Sequence, residues 1–242
     1  MRMGRILAAF LLAFLFAAPP ARADSARVLV IGNELVERAE LPTRLAKLSR
    51  AMGHDVQVES AAFDGFSLSD HWRDPRTQEA LKKKWDYVVL QQGPSALPLE
   101  RQELLEYARR FAGAIRAAGA KPALLMTWPA SDRQREFPLV IASYRAAAQA
   151  ADAVLIPAGE SWLRILSKDR RAPLYSGREN ASSVGGDLVV LSMWFALFPA
   201  GPREFTDDYV ARVAKALDID AERREAWVDA ATRSIDEPLP LR

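Results

Sequence analysis

"VLVIGNELVERAELP", from Val28 to Pro42, is the stretch that decides the fold. Val28 to Ile31 is a short, continuously apolar run of β-forming residues. It stops at Gly32-Asn33, and a helical pattern starts immediately after. An apolar run with no polar alternation is buried on both faces, as a strand of a parallel sheet is. Gly32 and Asn33 serve as backbone devices for the sharp turn. The side chain shown at the carboxyl end of this strand is Glu34, at the place where α/β enzymes present a catalytic residue.

The alternation of strand and helix continues along the chain. "HDVQVESAAF" (54–63) has the period of a strand, and "YVVLQ" (87–91), "PALLMTW" (122–128) and "AVLIPAG" (153–159) are further short β-rich runs. Leu41, Leu45, Leu48 and Met52 recur at helical spacing, with Gly53 as a stop. Leu99 to Ala118 and about Glu136 to Ala151 are also helical by period. From Glu160 on the pattern is mostly helical, broken between Ala172 and Gly186 by Pro173, Gly177, Gly185 and Gly186. Five strands separated by helices predict an α/β fold: a three-layer α/β/α, doubly wound, five-stranded parallel sheet. Ligands of such sheets sit outside the carboxyl ends of the strands. Those ends are Asn33-Glu34, Phe63–Gly65, Gln91–Ser95, Thr127-Trp128 and Pro157–Glu160. No internal repeat or linker divides the chain, so residues 24–242 are expected to form a single domain.

The first 23 residues predict export. Arg2 and Arg5 precede an almost wholly apolar run from Ile6 to Ala18, and Ala21-Arg22-Ala23 has the small-x-small form of a cleavage site. The run is short for a membrane span and Pro19-Pro20 follows it. The expected location is therefore periplasmic or extracellular, with no transmembrane segment in the mature chain. Of 33 Lys and Arg, the loss of Arg2, Arg5 and Arg22 leaves 30 against 31 Asp and Glu, a net charge near −1. Net charge makes no case for nucleic acid, and Lys82-Lys83-Lys84 is one short solvated run. The chain has no cysteine, which excludes disulfides, a thiol nucleophile and thiolate metal ligands.

With these blocks in order, the chain resembles the SGNH (GDSL-type) hydrolases, in particular their secreted "IGNS" group. "VLVIGNE" is similar to the first block, whose Gly-Asp/Asn-Ser carries the nucleophile. "DGFSLSDHW" (64–72) is similar to the second, whose glycine supplies an oxyanion-hole N–H. "DYVVLQQGPS" (86–95) is similar to the third, where Gly-x-Asn supplies another donor. "LYSGRENASSVGGDLVVLSMWFALF" (174–198) is similar to the last, roughly Leu-Tyr-x-x-Asp-Gly-x-His-Pro-Ser. The resemblance spans nearly the whole mature chain and implies a flavodoxin-like SGNH fold.

The catalytic set implied by the resemblance is degenerate. Glu34 stands at the serine position, Arg178 at the aspartate, Ala181 at the histidine and Ser95 at the third-block asparagine; of the named set only the second-block glycine, Gly65, is kept. A serine hydroxyl needs a base within hydrogen-bond reach, and alanine supplies none. A glutamate reaching the oxyanion hole would put negative charge where the transition state develops it. An acid and a base at positions flanking a lost histidine predict a Glu34–Arg178 ion pair filling the old pocket. The alternative leaves Arg178 in solvent and Glu34 at the start of the following helix, favoured by the helix dipole.

The expected pocket lining is Asn33, Glu34, Gly65, His71, Gln91, Gln92, Trp128 and Arg178. His71 is either a rim residue or, more simply, a packed helix residue; His54 is a turn residue. Trp128 either stacks on a ligand or covers the core. Asp64, Asp70 and His71 match no metal-ligand spacing, and no cofactor is implied. Ser182 and Ser183 are loop and cap residues, and Glu160 is a first-turn helix acid. Three functions compete. One is an exported SGNH-like protein without esterase chemistry that binds a small molecule, a carbohydrate or an envelope protein. The second is an active hydrolase of acyl or acetyl (carbohydrate) esters with a non-standard set built on Glu34 and His71. The third is an interaction protein with a closed pocket.

Overall fold

A computed structural model describes residues 25–198 and 206–240. The expected signal peptide, 1–23, lies outside the described residues. Five strands, β1 (Ser25–Gly32), β2 (Asp55–Ala62), β3 (Tyr87–Leu90), β4 (Lys121–Leu125) and β5 (Val154–Ile156), form one parallel sheet in the order β2-β1-β3-β4-β5. Val28, Val30 and Ile31 in β1 and Val89 and Leu90 in β3 have no exposed surface. These central strands are covered on both faces, which is why their sequence runs apolar without alternation. β2 lies at an edge and is more exposed, with Val56 and Ala61 its buried residues.

Helices fill both faces. On one side α5 (Pro98–Ala117) and α6 (Phe137–Ala151) lie together, with the short α3 (Leu68–Arg73) and α4 (Pro75–Leu81) beside them. On the other lie α2 (Leu41–Ala51) and α8 (Ser183–Leu197), wrapped in turn by α7 (Ala158–Lys168), α9 (Asp207–Ala216) and α10 (Ala221–Asp236). α8 is buried from Gly185 to Phe195 because it has helices outside it and the sheet beneath; its sequence is accordingly apolar all round. The break expected over 172–186 is shorter than its glycines suggest. It holds a two-stranded hairpin, β6 (Tyr175–Ser176) and β7 (Asn180–Ala181), and α8 already runs through Gly185 and Gly186. Among the described residues no helix is long and apolar enough to cross a membrane.

The strand order places the site. The chain winds outward in both directions from β1, to β2 on one side and β3 on the other. The reversal leaves a crevice between the loops after β1 and β3, at their carboxyl ends.

Candidate functional site

Asn33 follows β1 and caps α1 (Glu34–Arg38), its Oδ1 accepting from Leu35 N at 3.1 Å. The cap turns the chain so that Glu34 begins the helix beside the crevice. Gln91 stiffens the turn from below: its Oε1 accepts from Asn33 N at 2.8 Å. A Cβ on Gly32 would fall 2.2 Å from that oxygen, so the approach requires glycine here. Gln92 reaches across the crevice floor to accept from Leu68 N (3.0 Å) and to donate to Ser95 Oγ (3.1 Å). The loop after β3 is held by the buried Tyr144 hydroxyl, 2.5 Å from Gln92 O and 3.0 Å from Gly93 O. Ser95 adopts a left-handed conformation (φ 55°) within it, of the strained kind that concentrates at functional sites.

Glu34 Oε2 accepts from Gly65 N at 2.8 Å. Gly65 has φ 72°, which turns its N–H toward the crevice in a conformation glycine tolerates without strain. The amide that the resemblance implies as an oxyanion donor is therefore occupied by the chain's own carboxylate.

Two adjoining cavities of about 150 and 210 Å³ open here, sharing Asn33, Gly93, Pro94 and Glu100. Glu34 and Trp128 line the smaller, and Gly65, Gln92 and Ser95 line the larger. The structure also adds residues with no signal in the sequence: Glu136, Arg133 and Glu179 around the smaller cavity, Ser67 and Glu103 around the larger. Glu103 lies in the second turn of α5 and the others in loops or at helix starts, where neither periodicity nor a motif distinguishes them from solvated polar residues.

The Glu34–Arg178 ion pair does not form, and this corrects the expectation. The turn at Gly177–Glu179 is stitched to the loop after β4, through Ser131 N to Arg178 O (2.8 Å) and Trp128 Nε1 to Glu179 O (3.0 Å). That docking carries the Arg178 side chain to Asp132, which its Nε meets at 2.9 Å in an exposed pair. The Arg178 guanidinium holds the Asp132 carboxyl below its ordinary range. Arg178 does not line either cavity, nor does Gln91, which is buried beneath them.

His71 is likewise not a rim residue. It has no exposed surface. Its Nε2 lies 2.8 Å from Gly32 O, its Nδ1 lies 2.8 Å from Thr77 Oγ1, and its ring stacks on Phe63. A carbonyl only accepts, so Nε2 carries the proton and Nδ1 accepts from the threonine: a neutral imidazole with both nitrogens satisfied. Burial lowers its pKa from the ordinary value. His54 packs edge-on against Trp194 in the loop before β2, at the opposite end of the sheet. Trp128 is 3% exposed and stacks on Trp162 at 3.9 Å, so it serves the core and the cavity wall together. Ala181 is buried in β7, which packs against α1. Glu160, at the fifth strand end, is turned inward to Arg145, at 2.7 Å. Among the described residues no group of three or more His, Cys, Asp or Glu is placed to hold a metal ion.

No protein-family model matches the chain, and no curated protein matches it. Solved structures do. A candidate SGNH hydrolase from Slackia heliotrinireducens aligns over 72% of this chain and 100% of its own, with TM-score 0.62 and 22% identity. A DUF4886 family protein from Bacteroides uniformis aligns over 90% of this chain and 98% of its own, with TM-score 0.73 and 16% identity. An acetylxylan esterase from Geobacillus stearothermophilus, solved as a catalytic mutant, aligns over 74% and 96%, with TM-score 0.55 and 14% identity. The five-stranded sheet, its order and these likenesses together give the chain the three-layer α/β fold of the SGNH hydrolases.

Proposed function

We propose that this chain is an exported protein of SGNH fold that has lost ester hydrolysis and keeps the old substrate cleft for binding. The observation that carries the reading is the Glu34 carboxylate on the Gly65 N–H, 2.8 Å away. Hydrolysis through this site needs that donor free for a developing oxyanion; here a fixed negative charge holds it. A base is also missing. The chain has two histidines, one locked neutral beneath Gly32 and the other at the far end of the sheet. The alternative set of Glu34 with His71 therefore has no observation in its favour. Two adjoining cavities, the smaller lined by Glu34 and the larger by Gly65, support binding over a closed interaction protein.

The test is hydrolysis of p-nitrophenyl acetate by the mature chain and by the restored variant Glu34→Ser, Arg178→Asp, Ala181→His, each first shown to be folded by circular dichroism. The expected result is no turnover above buffer by the natural chain and measurable turnover by the triple variant. Turnover by the natural chain that Glu34→Ala abolishes overturns the reading.

A further inference from the structure

Three large apolar side chains stand exposed among the described residues, Leu97 at 50%, Leu99 at 80% and Leu139 at 52%. They lie at one end of the fold. Leu97 and Leu99 begin α5, and Leu139 is in the first turn of α6. β3, β4 and β5 are neighbours in one parallel sheet, so α5 and α6 return side by side, both starting from its carboxyl end. The loops that lead into them meet at the smaller cavity, with Pro94 and Ala96 from one and Ala130 and Glu136 from the other. The leucines therefore edge the mouth of the cleft on its α5–α6 side. Pro98 and Pro138, also exposed, fix the first turn of each helix beside them.

The charge around these leucines is unbalanced. Arg101, one turn after Leu97, and Arg135, one turn before Leu139, are exposed, and neither guanidinium has an ion-pair or hydrogen-bond partner among the described residues. The acids nearby are engaged elsewhere. Asp132 is held by Arg178 at 2.9 Å and Glu136 by Arg133 at 2.8 Å, and Glu100 turns back to Leu97 N at 3.3 Å. Leucines flanked by free guanidiniums fit a partner that is apolar within and anionic at its surface. A second copy of the chain does not supply this, because a two-fold contact sets the patch against itself and brings its arginines together. A protein partner needs a continuous complementary patch, which leucines on separate helix starts do not offer. An anionic bilayer needs no such match: its acyl boundary takes the leucines and its phosphates take the guanidiniums.

We infer that the rim formed by the starts of α5 and α6 docks on an anionic lipid surface, with Leu97, Leu99 and Leu139 entering the headgroup boundary and Arg101 and Arg135 on lipid phosphates. The inference does not depend on what the cleft binds or whether it hydrolyses. Without residues 1–23 the chain's net charge is near −1, so it has no general attraction to an anionic surface and the local patch must supply the binding. Each arginine near the surface contributes about fivefold, and each leucine that leaves water contributes on that order or more. The attachment is therefore reversible and weakens as salt screens the arginines.

The experiment is co-sedimentation of the chain from Asp24 on, which holds every described element, with vesicles of phosphatidylcholine and phosphatidylglycerol in equal parts, against vesicles of phosphatidylcholine alone. The anionic vesicles are expected to bind it at least about fivefold more tightly. Leu97→Ser, Leu99→Ser and Leu139→Ser together are expected to weaken that binding by about tenfold or more. Arg101→Gln with Arg135→Gln is expected to bring it down to the level of the neutral vesicles. All five side chains are exposed, so both variants are expected to keep the circular dichroism and melting of the natural chain. Arg50→Gln with Arg171→Gln removes the same charge from other exposed positions and is expected to change binding little. The chain has no cysteine, so a polarity-sensitive dye on Leu99→Cys reports the rim alone. It is expected to brighten on anionic vesicles, and the same dye on Arg50→Cys, in the last turn of α2 at the other end of the sheet, is not. Equal binding to both vesicles, no loss in the leucine variant, an equal loss in the Arg50 and Arg171 control, or an equal dye response at position 50 overturns the inference. A dimer in light scattering that the leucine variant dissociates, with no vesicle binding, gives the patch to a second copy and overturns it too.

Discussion

Glu160 offers the sharpest test of how the fold is held beneath the site. It is 0% exposed, at the start of α7. Arg145 of α6 grips it in a fork, Nε to Oε1 at 2.9 Å and a terminal nitrogen to Oε2 at 2.7 Å. Oε2 also accepts from Leu239 N at 2.9 Å, which ties the C-terminal tail to α7. Glu160→Ala removes all three bonds. It strands the Leu239 N–H and leaves a guanidinium whose side chain is only 24% exposed. Breaking a buried pair in this way costs about 3–5 kcal/mol. The partial exposure of Arg145 lets water reach it, so the lower end applies, about 3 kcal/mol. For a chain of this size that lowers Tm by about 6–12 °C. The pair as a whole contributes much less than its breakage costs, because both charges were desolvated to form it. The double variant Glu160→Leu, Arg145→Met is therefore expected to be more stable than Glu160→Ala alone. Urea unfolding followed by tryptophan fluorescence measures both. A Glu160→Ala midpoint matching the natural chain, or a double variant no better than the single, would refute the account of a buried, coupled pair.

Two further outcomes follow from the packing and the titrating groups. A Cβ on Gly185 would lie 2.2 Å from Leu174 O and 2.8 Å from the Trp162 ring, whereas one on Gly113 meets nothing within 4 Å. Gly185→Ala should lose about 3 kcal/mol or more, as backbone overpacking does, while Gly113→Ala on exposed α5 should gain about 0.5–1 kcal/mol; reversed signs in thermal melts would contradict the packing of α8 on Trp162. Two buried groups should also set opposing pH slopes. Burial pushes the Asp187 carboxyl up to about 6 despite Arg44 at 2.5 Å. The fold therefore favours its protonated form, and the natural chain gains stability from this group as pH falls through 6, by about 3 kcal/mol once the unfolded-state value is passed. Asp187→Asn should remove that gain. His71 is depressed by burial, so its neutral form is favoured and its stabilisation is lost as pH falls below 6.5. His71→Ala should be destabilised at pH 8 but flatter in acid. Melts from pH 4.5 to 8 that show the same slope for the natural chain and both variants would contradict these assignments.

Much of the architecture was legible because it rests on repetition. The apolar run at Val28–Ile31 and its counterparts at 87–91 and 122–128 each carry burial on both faces in their composition, and a parallel sheet is the ordinary way to bury them. Gly32-Asn33 marked the turn. The position of Glu34 at the strand end followed from the same run, and its contact with Gly65 lay within the reach of the resemblance. Arg178 was misjudged because the partner of a long side chain depends on where its turn docks. That docking is set by Ser131 N and Trp128 Nε1, contacts that cross from β4 to the β6–β7 hairpin and leave no local trace. Glu160 reads as a surface acid in a first helical turn. Only the approach of α6 and the tail makes it a buried ion-pair partner.

Local order alone determined that this chain alternates strand and helix, that its sheet is parallel and buried, and that an acid, Glu34, stands at the end of its first strand. Those properties are carried by residues close together in the chain, where periodicity and turn chemistry act. The tertiary structure decided everything that depends on which loops meet: Glu34 on Gly65, Arg178 on Asp132, and His71 sealed under Gly32. Each joins segments distant in sequence. Their side chains choose partners by distance and desolvation, quantities that exist only once the sheet has brought the loops together.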